Sequence, residues 1–187
     1  DWKNVMPLID RVNLMSYDLV GGYSTLSGHH TALYSTPKQP ESVDNGVKKL
    51  IAAGVLSNKI AIGAAFYGRL FSVADTTNNG LYLPAQFYHG LSYSHFADTI
   101  NVANGFIQYW DTIAKAPFAF NMQRKLMATY DDTNSIKLKT EYVIKNNLNG
   151  IMFWQLADDS FSNGLLNVID DVKKKKGINQ KAGNKVY

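Results

Sequence analysis

The sequence predicts an α/β fold in which parallel β/α units are interrupted by a small inserted α+β subdomain. Three observations carry this expectation. Short apolar runs at 10–18, 60–67 and 151–156 each end in polar or aromatic residues. Amphipathic helical patterns follow or link them, which suits parallel crossover units. The stretch 71–132 breaks that rhythm with Asn78-Asn79-Gly80 and many aromatics.

In chain order, Arg11-Val12-Asn13-Leu14-Met15-Ser16-Tyr17-Asp18 reads as a buried strand stopped by Gly21-Gly22. Residues 23–40 are rich in Ser, Thr, Gly, His and Pro and read as a loop. Val43, Val47, Leu50 and Ile51 recur at helical spacing, with Ser42 as candidate N-cap and Gly54 as stop. Residues 60–67 form the second strand. Within the insertion, a short helix is expected near 93–100 and strands near 105–111 and 124–130. Ser135 to Asn147 is helical, with Ile136, Tyr142, Val143 and Leu138 inward, and Asn149-Gly150 stops it. The third strand follows at 151–156. Asn163 to Lys175 forms a last helix with Leu165, Leu166, Ile169 and Val172 inward.

Composition narrows the class. The 187 residues are 45% hydrophobic and 18% charged, as expected of a soluble globular domain. Aromatics reach 12%, with 11 Tyr, 9 Phe and 3 Trp, which suits either a large core or a sugar-stacking surface. The net charge of +4 gathers in the tail around Lys173 to Lys176, Lys181 and Lys185. Such a cluster reads as a solvated helix end and lacks the interleaved aromatics of a nucleic-acid face. There is no cysteine, hence no disulfide or thiolate chemistry. No apolar run approaches the ~20 residues of a membrane span. His29-His30 is an adjacent pair without a third ligand at metal spacing, so a loop role is expected and no metal or cofactor.

Three motifs then point to a family. Met15-Ser16-Tyr17-Asp18 resembles the Met-x-Tyr-Asp ending of the sixth strand in the chitinases of glycoside hydrolase family 18. Gly63-Ala64-Ala65-Phe66-Tyr67-Gly68-Arg69 resembles their seventh-strand Gly-x-x-Phe-Tyr-Gly-Arg, and Gly150-Ile151-Met152-Phe153-Trp154 their eighth-strand Gly-x-Met-x-Trp. The stretch ending in Tyr130-Asp131-Asp132 resembles the chitinase insertion domain. The resemblance implies strands six to eight of a (β/α)₈ TIM barrel, with barrel residues 1–70 and 133–176, the insertion at 71–132 and a tail at 177–187.

It also implies roles. In these enzymes the substrate's N-acetyl group, rather than a protein carboxylate, attacks the anomeric carbon. Tyr17 would donate to the acetamide oxygen and Asp18 would accept its N–H or partner a neighbouring carboxyl. The alternative is that Tyr17 fills the barrel and Asp18 caps a turn. Trp154 would floor the reacting-sugar subsite, with Met152 lining the same pocket, unless both are core. Tyr67 and Arg69 would bind sugar hydroxyls or anchor a loop. Met15 ends the sixth strand beside them. Tyr23 occupies the place of a stacking aromatic, or is a plain loop residue.

The family's general acid, the final Glu of Asp-x-x-Asp-x-Asp-x-Glu, is absent. The only glutamates are Glu41 and Glu141, neither in that motif. The expectation is therefore a C-terminal part of an extracellular chitinase acting on chitin or chitooligosaccharide, inactive alone. Nucleic acid and membrane are not expected as partners. The missing N-terminal part of the barrel, or another copy of the chain, would complete the fold. The other readings are part of a non-catalytic chitinase-like lectin or of a related endo-N-acetylglucosaminidase.

Overall fold

The computed structural model describes residues 1–175. The tail and Lys176 lie outside them. A short helix α1 (Trp2–Val5) leads into β1 (Val12–Leu14), the first of three parallel strands. The expected strand at 10–18 is thus short: after Leu14 the chain bends, and Ser16 N–H donates to the Leu14 carbonyl at 2.8 Å. Residues 19–42 form a long loop. Helix α2 (Val43–Ala52) is capped by the Ser42 side chain, which accepts from Asn45 N–H. Gly54 follows at φ +97°, where only glycine is unstrained. Val43, Val47 and Leu50 are buried, whereas Ile51, expected inward, is exposed.

Strand β2 (Ile60–Ala65) is the centre of the parallel sheet and is buried throughout. Being covered on both faces, it reads as a continuous apolar run. The expected strand at 60–67 ends two residues early, because the chain crosses at Phe66 into a second sheet. Phe66 stacks on Phe153 with ring centroids 4.5 Å apart, and its N–H donates to the Trp154 carbonyl.

The second sheet is antiparallel and five-stranded, in the order β4-β3-β7-β6-β5. It comprises β3 (Tyr67–Val73), β4 (Ala85–Ser92), β5 (Ile107–Asp111), β6 (Ala116–Asn121) and β7 (Leu126–Thr129). It therefore begins at Tyr67, where the sequence reading placed the change at 71. Strands β5 and β7 match the two expected stretches, while β3, β4 and β6 were not anticipated. The expected short helix is a 3₁₀ turn followed by α3 (Phe96–Thr99). Gly68 permits the crossing: a Cβ there would stand 2.9 Å from the Phe96 ring and 3.1 Å from the Thr129 carbonyl.

Helix α4 (Thr133–Lys145) opens on a capping box in which Asp132 accepts from Ser135 N–H and Ser135 Oγ accepts from Asp132 N–H. Its buried face holds the expected Ile136, Tyr142 and Val143 but also Lys139, a charged residue the periodicity did not flag. Strand β8 (Gly150–Trp154) pairs in parallel with β2, placing Trp154 beside Ala65. Helix α5 (Leu165–Lys175) buries Leu165, Ile169 and Val172, and leaves Leu166 exposed. The parallel sheet order is β1-β2-β8, as consecutive crossover units require. Its helix-side core joins Val47, Ile60, Ile62, Tyr142 and Val143. Among the described residues no helix is long and apolar enough to cross a membrane.

Candidate active site

The C-terminal ends of β1, β2 and β8 open onto a cleft of about 440 Å³. Six of the sequence candidates line it: Met15, Tyr17, Asp18, Tyr67, Arg69 and Trp154. Met152 stands behind, its Sδ 3.9 Å from the Tyr17 hydroxyl. Tyr23 is not among the lining residues and is fully exposed on the 19–42 loop. Asp158 also lines the cleft, and so do Gly90, Leu91 and Ser92 of β4, which the sequence reading did not single out. Ser92 Oγ donates to Asp158 Oδ1 at 2.6 Å and ties the antiparallel sheet to the segment after β8. Asp158 sat in view, in a polar run after Trp154; nothing local marked β4 as a wall. The neighbouring Asp159 is structural, accepting from Leu165 and Leu166 N–H at the start of α5.

Tyr17 owes its place to Gly63. A Cβ on Gly63 would lie 2.7 Å from the phenol ring and 3.0 Å from the Leu14 carbonyl. Ser16 locks the same spot, donating from Oγ to the Gly63 carbonyl at 3.1 Å and accepting from Gly63 N–H at 2.9 Å. Gly63→Ala is expected to destabilise the fold by about 1–3 kcal/mol through overpacking and to turn Tyr17 out of position. An unfolding midpoint unchanged in urea would contradict this account.

Asp18 is held by a fork. Arg69 donates from Nε at 2.9 Å and from Nη2 at 2.8 Å, one bond to each carboxylate oxygen. His30 Nδ1 lies 3.7 Å from Oδ1, the oxygen that Arg69 Nε binds. Asp18 itself has φ +55°, a conformation that side chains seldom adopt without surrounding constraint. Partial burial opposes its ionisation, but the two hydrogen bonds and the charge of the Arg69 guanidinium outweigh this and hold the carboxyl well below the usual range. It is therefore an acceptor at neutral pH and no proton donor. Burial, followed by the Asp18 charge, pushes the Tyr17 and Tyr67 phenols up, so both remain O–H donors. The Arg69 guanidinium sits 4.9 Å from the Tyr67 ring centroid and the Tyr17 and Tyr67 rings meet edge-on at 6.0 Å. Trp154 closes the other side, 57% exposed for so large an apolar residue. A flat indole beside phenol donors and a fixed carboxylate suits a pyranose, which has an apolar face and a polar rim.

His29 and His30 do not form a metal pair. Both are buried, and they diverge: His29 Nε2 pairs with Asp111 at 3.0 Å while His30 turns toward Asp18. The His29 bond, ahead of an opposing burial effect, lowers the Asp111 carboxyl to about 2. This pins the 19–42 loop to β5.

Beneath the cleft lies an ion pair. Asp131 and Lys139 are both fully buried, with Lys139 Nζ 2.8 and 2.6 Å from the two carboxylate oxygens. Asp131 also accepts from Ala65 N–H at the end of β2, from Thr31 Oγ1 in the loop and from Ser135 Oγ in α4. One carboxylate thus joins the parallel sheet, the loop and a helix.

The chain is 30% identical to chitinase A1 of Niallia circulans over 83% of its own length and 25% of that protein's. It superposes on chitinase ChiA74 of Bacillus thuringiensis with TM-score 0.86 and 30% identity, covering 96% of this chain and 34% of that one. An N-acetylglucosaminidase of Paenibacillus barengoltzii gives TM-score 0.82 and 37% identity, covering 90% and 50%. The chain therefore spans a quarter to a half of these relatives. The model of the glycosyl hydrolases of family 18, a family of TIM-barrel enzymes, matches residues 1–159, and the chain belongs to that family.

Proposed function

We propose that this chain supplies the acetamide-holding and sugar-stacking side of a chitinase cleft acting on β-1,4-linked N-acetylglucosamine. The observation that carries the reading is the convergence of Tyr17, the Asp18–Arg69 pair and Trp154 on one cleft. In the substrate-assisted route the acetamide oxygen bonds to the anomeric carbon as the glycosidic C–O bond breaks. The leaving oxygen takes a proton from a carboxylic acid, and water later opens the oxazolinium ion. Asp18, ionised and with lone pairs left over from Arg69, accepts the acetamide N–H. Tyr17 donates to the acetamide oxygen and Trp154 floors the sugar ring.

No glutamate of this chain fits the acid. Glu41 is exposed ahead of α2, and Glu141 lies within α4. The acid therefore comes from a part of the protein outside these 187 residues, on the remaining units of a (β/α)₈ barrel in which β1, β2 and β8 are the last three staves. Chitin lies outside cells, so an extracellular location goes with this reading. The relatives named chitinase favour polymer cleavage; the N-acetylglucosaminidase favours release of single sugars, and product analysis separates the two.

The test compares the 187-residue chain with the whole protein on a fluorogenic chitobioside. The whole protein is expected to turn over, and the chain alone to fall short by ~10²-fold or more, the usual worth of a general acid. Equal rates, or an inert whole protein, would overturn the proposal.

A further inference from the structure

The geometry points to His30 as a positioning residue for Asp18, an imidazole behind the carboxylate that fixes how it faces the cleft. This rests on the reading of the cleft as a family 18 sugar site. The sequence offers no reason for a second histidine in this loop, and the His29 role is already filled by Asp111.

His30 is fully buried, yet neither ring nitrogen has a hydrogen-bond partner among the described residues. Buried polar atoms are normally paired, and an aliphatic side chain would fill the space without that penalty. What the imidazole gains is its place. Nδ1 is 3.7 Å from Asp18 Oδ1, and a shift of about 0.5–0.8 Å closes a hydrogen bond. The ring leans on Tyr67 with centroids 5.3 Å apart.

The backbone of the same residue is tied on both sides. Its carbonyl accepts from Leu19 N–H at 3.0 Å, gripping the peptide next to Asp18. Its N–H donates to Thr129 Oγ1 at 3.0 Å, anchoring it to β7. Asp18 meanwhile holds a left-handed φ, uncommon for a residue other than glycine although Asp tolerates it better than most. Arg69 binds both carboxylate oxygens, and His30 Nδ1 stands next to Oδ1, the oxygen that Arg69 Nε also holds.

The charged groups that bear on the imidazole are Asp18, Asp131 and Lys139, and burial pushes its pKa below the ordinary value. It is therefore neutral at neutral pH. In the Nδ1–H tautomer it gives Asp18 one hydrogen without adding positive charge. The carboxylate keeps its strength as an acceptor for the acetamide, which a second cation would diminish.

The test sets His30→Asn against His30→Leu in the whole protein. The Asn amide nitrogen stands where Nδ1 stood; Leu fills the volume but donates nothing. H30N is expected to keep kcat within about threefold, while H30L loses about tenfold or more at an unchanged or raised melting temperature. A merely structural role predicts the reverse, with the apolar variant the more active or with activity following stability. H30L as active as H30N overturns the proposal. Should either variant fail to fold, the Asp18 carboxyl ¹³C signal of the wild type is followed through the imidazole titration. A step coupled to His30 is expected, and its absence overturns the proposal. That signal is independent of turnover, so a wild type inert on chitooligosaccharides would sink the functional reading alone.

Discussion

Lys139→Met is expected to cost the fold about 3–5 kcal/mol, the penalty for leaving one member of a buried ion pair without its partner. Both side chains are inaccessible, so water cannot replace the lost ammonium. Burial drives the Lys139 pKa down, and the attraction of Asp131 opposes it. Asp131 would retain its bonds from Ala65, Thr31 and Ser135, which hold it in place but do not neutralise it. Because those three donors belong to β2, the loop and α4, the damage should reach the cleft. Loss of cooperative urea unfolding at the wild-type midpoint, with reduced chitooligosaccharide binding, would register it. The paired variant Asp131→Leu with Lys139→Met should recover part of the loss by removing the stranded charge, though Ala65 N–H is then orphaned. A single variant costing less than about 1 kcal/mol would show that the pair is not the clamp described here.

In the whole protein, Tyr17→Phe is expected to lower kcat by about 10²-fold, the scale of losing one donor that bonds developing charge. KM should change much less, since on the proposed role the bond would strengthen as the oxazolinium forms. The structure supplies the reason. Among the described residues the Tyr17 hydroxyl reaches only the weak Met152 sulfur, which leaves its hydrogen for a ligand. Its ring is seated over Gly63, where phenylalanine fits equally well, so the variant deletes the hydroxyl with little else. On the proposed role Trp154→Ala should damage kcat and KM together, because a floor under the sugar would serve ground state and transition state alike. Should Tyr17→Phe leave kcat within a factor of about two, its transition-state role is rejected.

Local signals in the chain were enough to place the parallel elements. Helix α2 was legible from Ser42, Val43, Val47, Leu50 and Gly54, because a cap, a 3.6-residue period and a left-handed stop are all properties of neighbours in sequence. Strands β2 and β8 were legible as apolar runs, and the ends of β1, β2 and β8 as polar and aromatic clusters. Motif resemblance then brought Met15, Tyr17, Asp18, Tyr67, Arg69, Met152 and Trp154 under suspicion. That six of them line one cleft, with Met152 in reach of the Tyr17 hydroxyl, is a property of the fold.

What the sequence could not decide depends on groups far apart along it. Asp18 meets Arg69 across 51 positions, and that pairing, not the residue type, makes Asp18 a fixed acceptor. Strand β4 carries no clean alternation: half of its residues are exposed and none is fully buried, and it exists because β3 supplies hydrogen bonds beside it. Lys139 breaks the apolar stripe of α4, and only the approach of Asp131 from the end of the antiparallel sheet makes its burial tolerable. His30 is likewise unremarkable in a loop of polar residues until the fold sets it behind a carboxylate. Sequence alone determined the elements with local causes, caps, periods and turn residues. Tertiary structure decided which polar groups are buried together, because the energy of a charge is set by neighbours that the chain brings near only on folding.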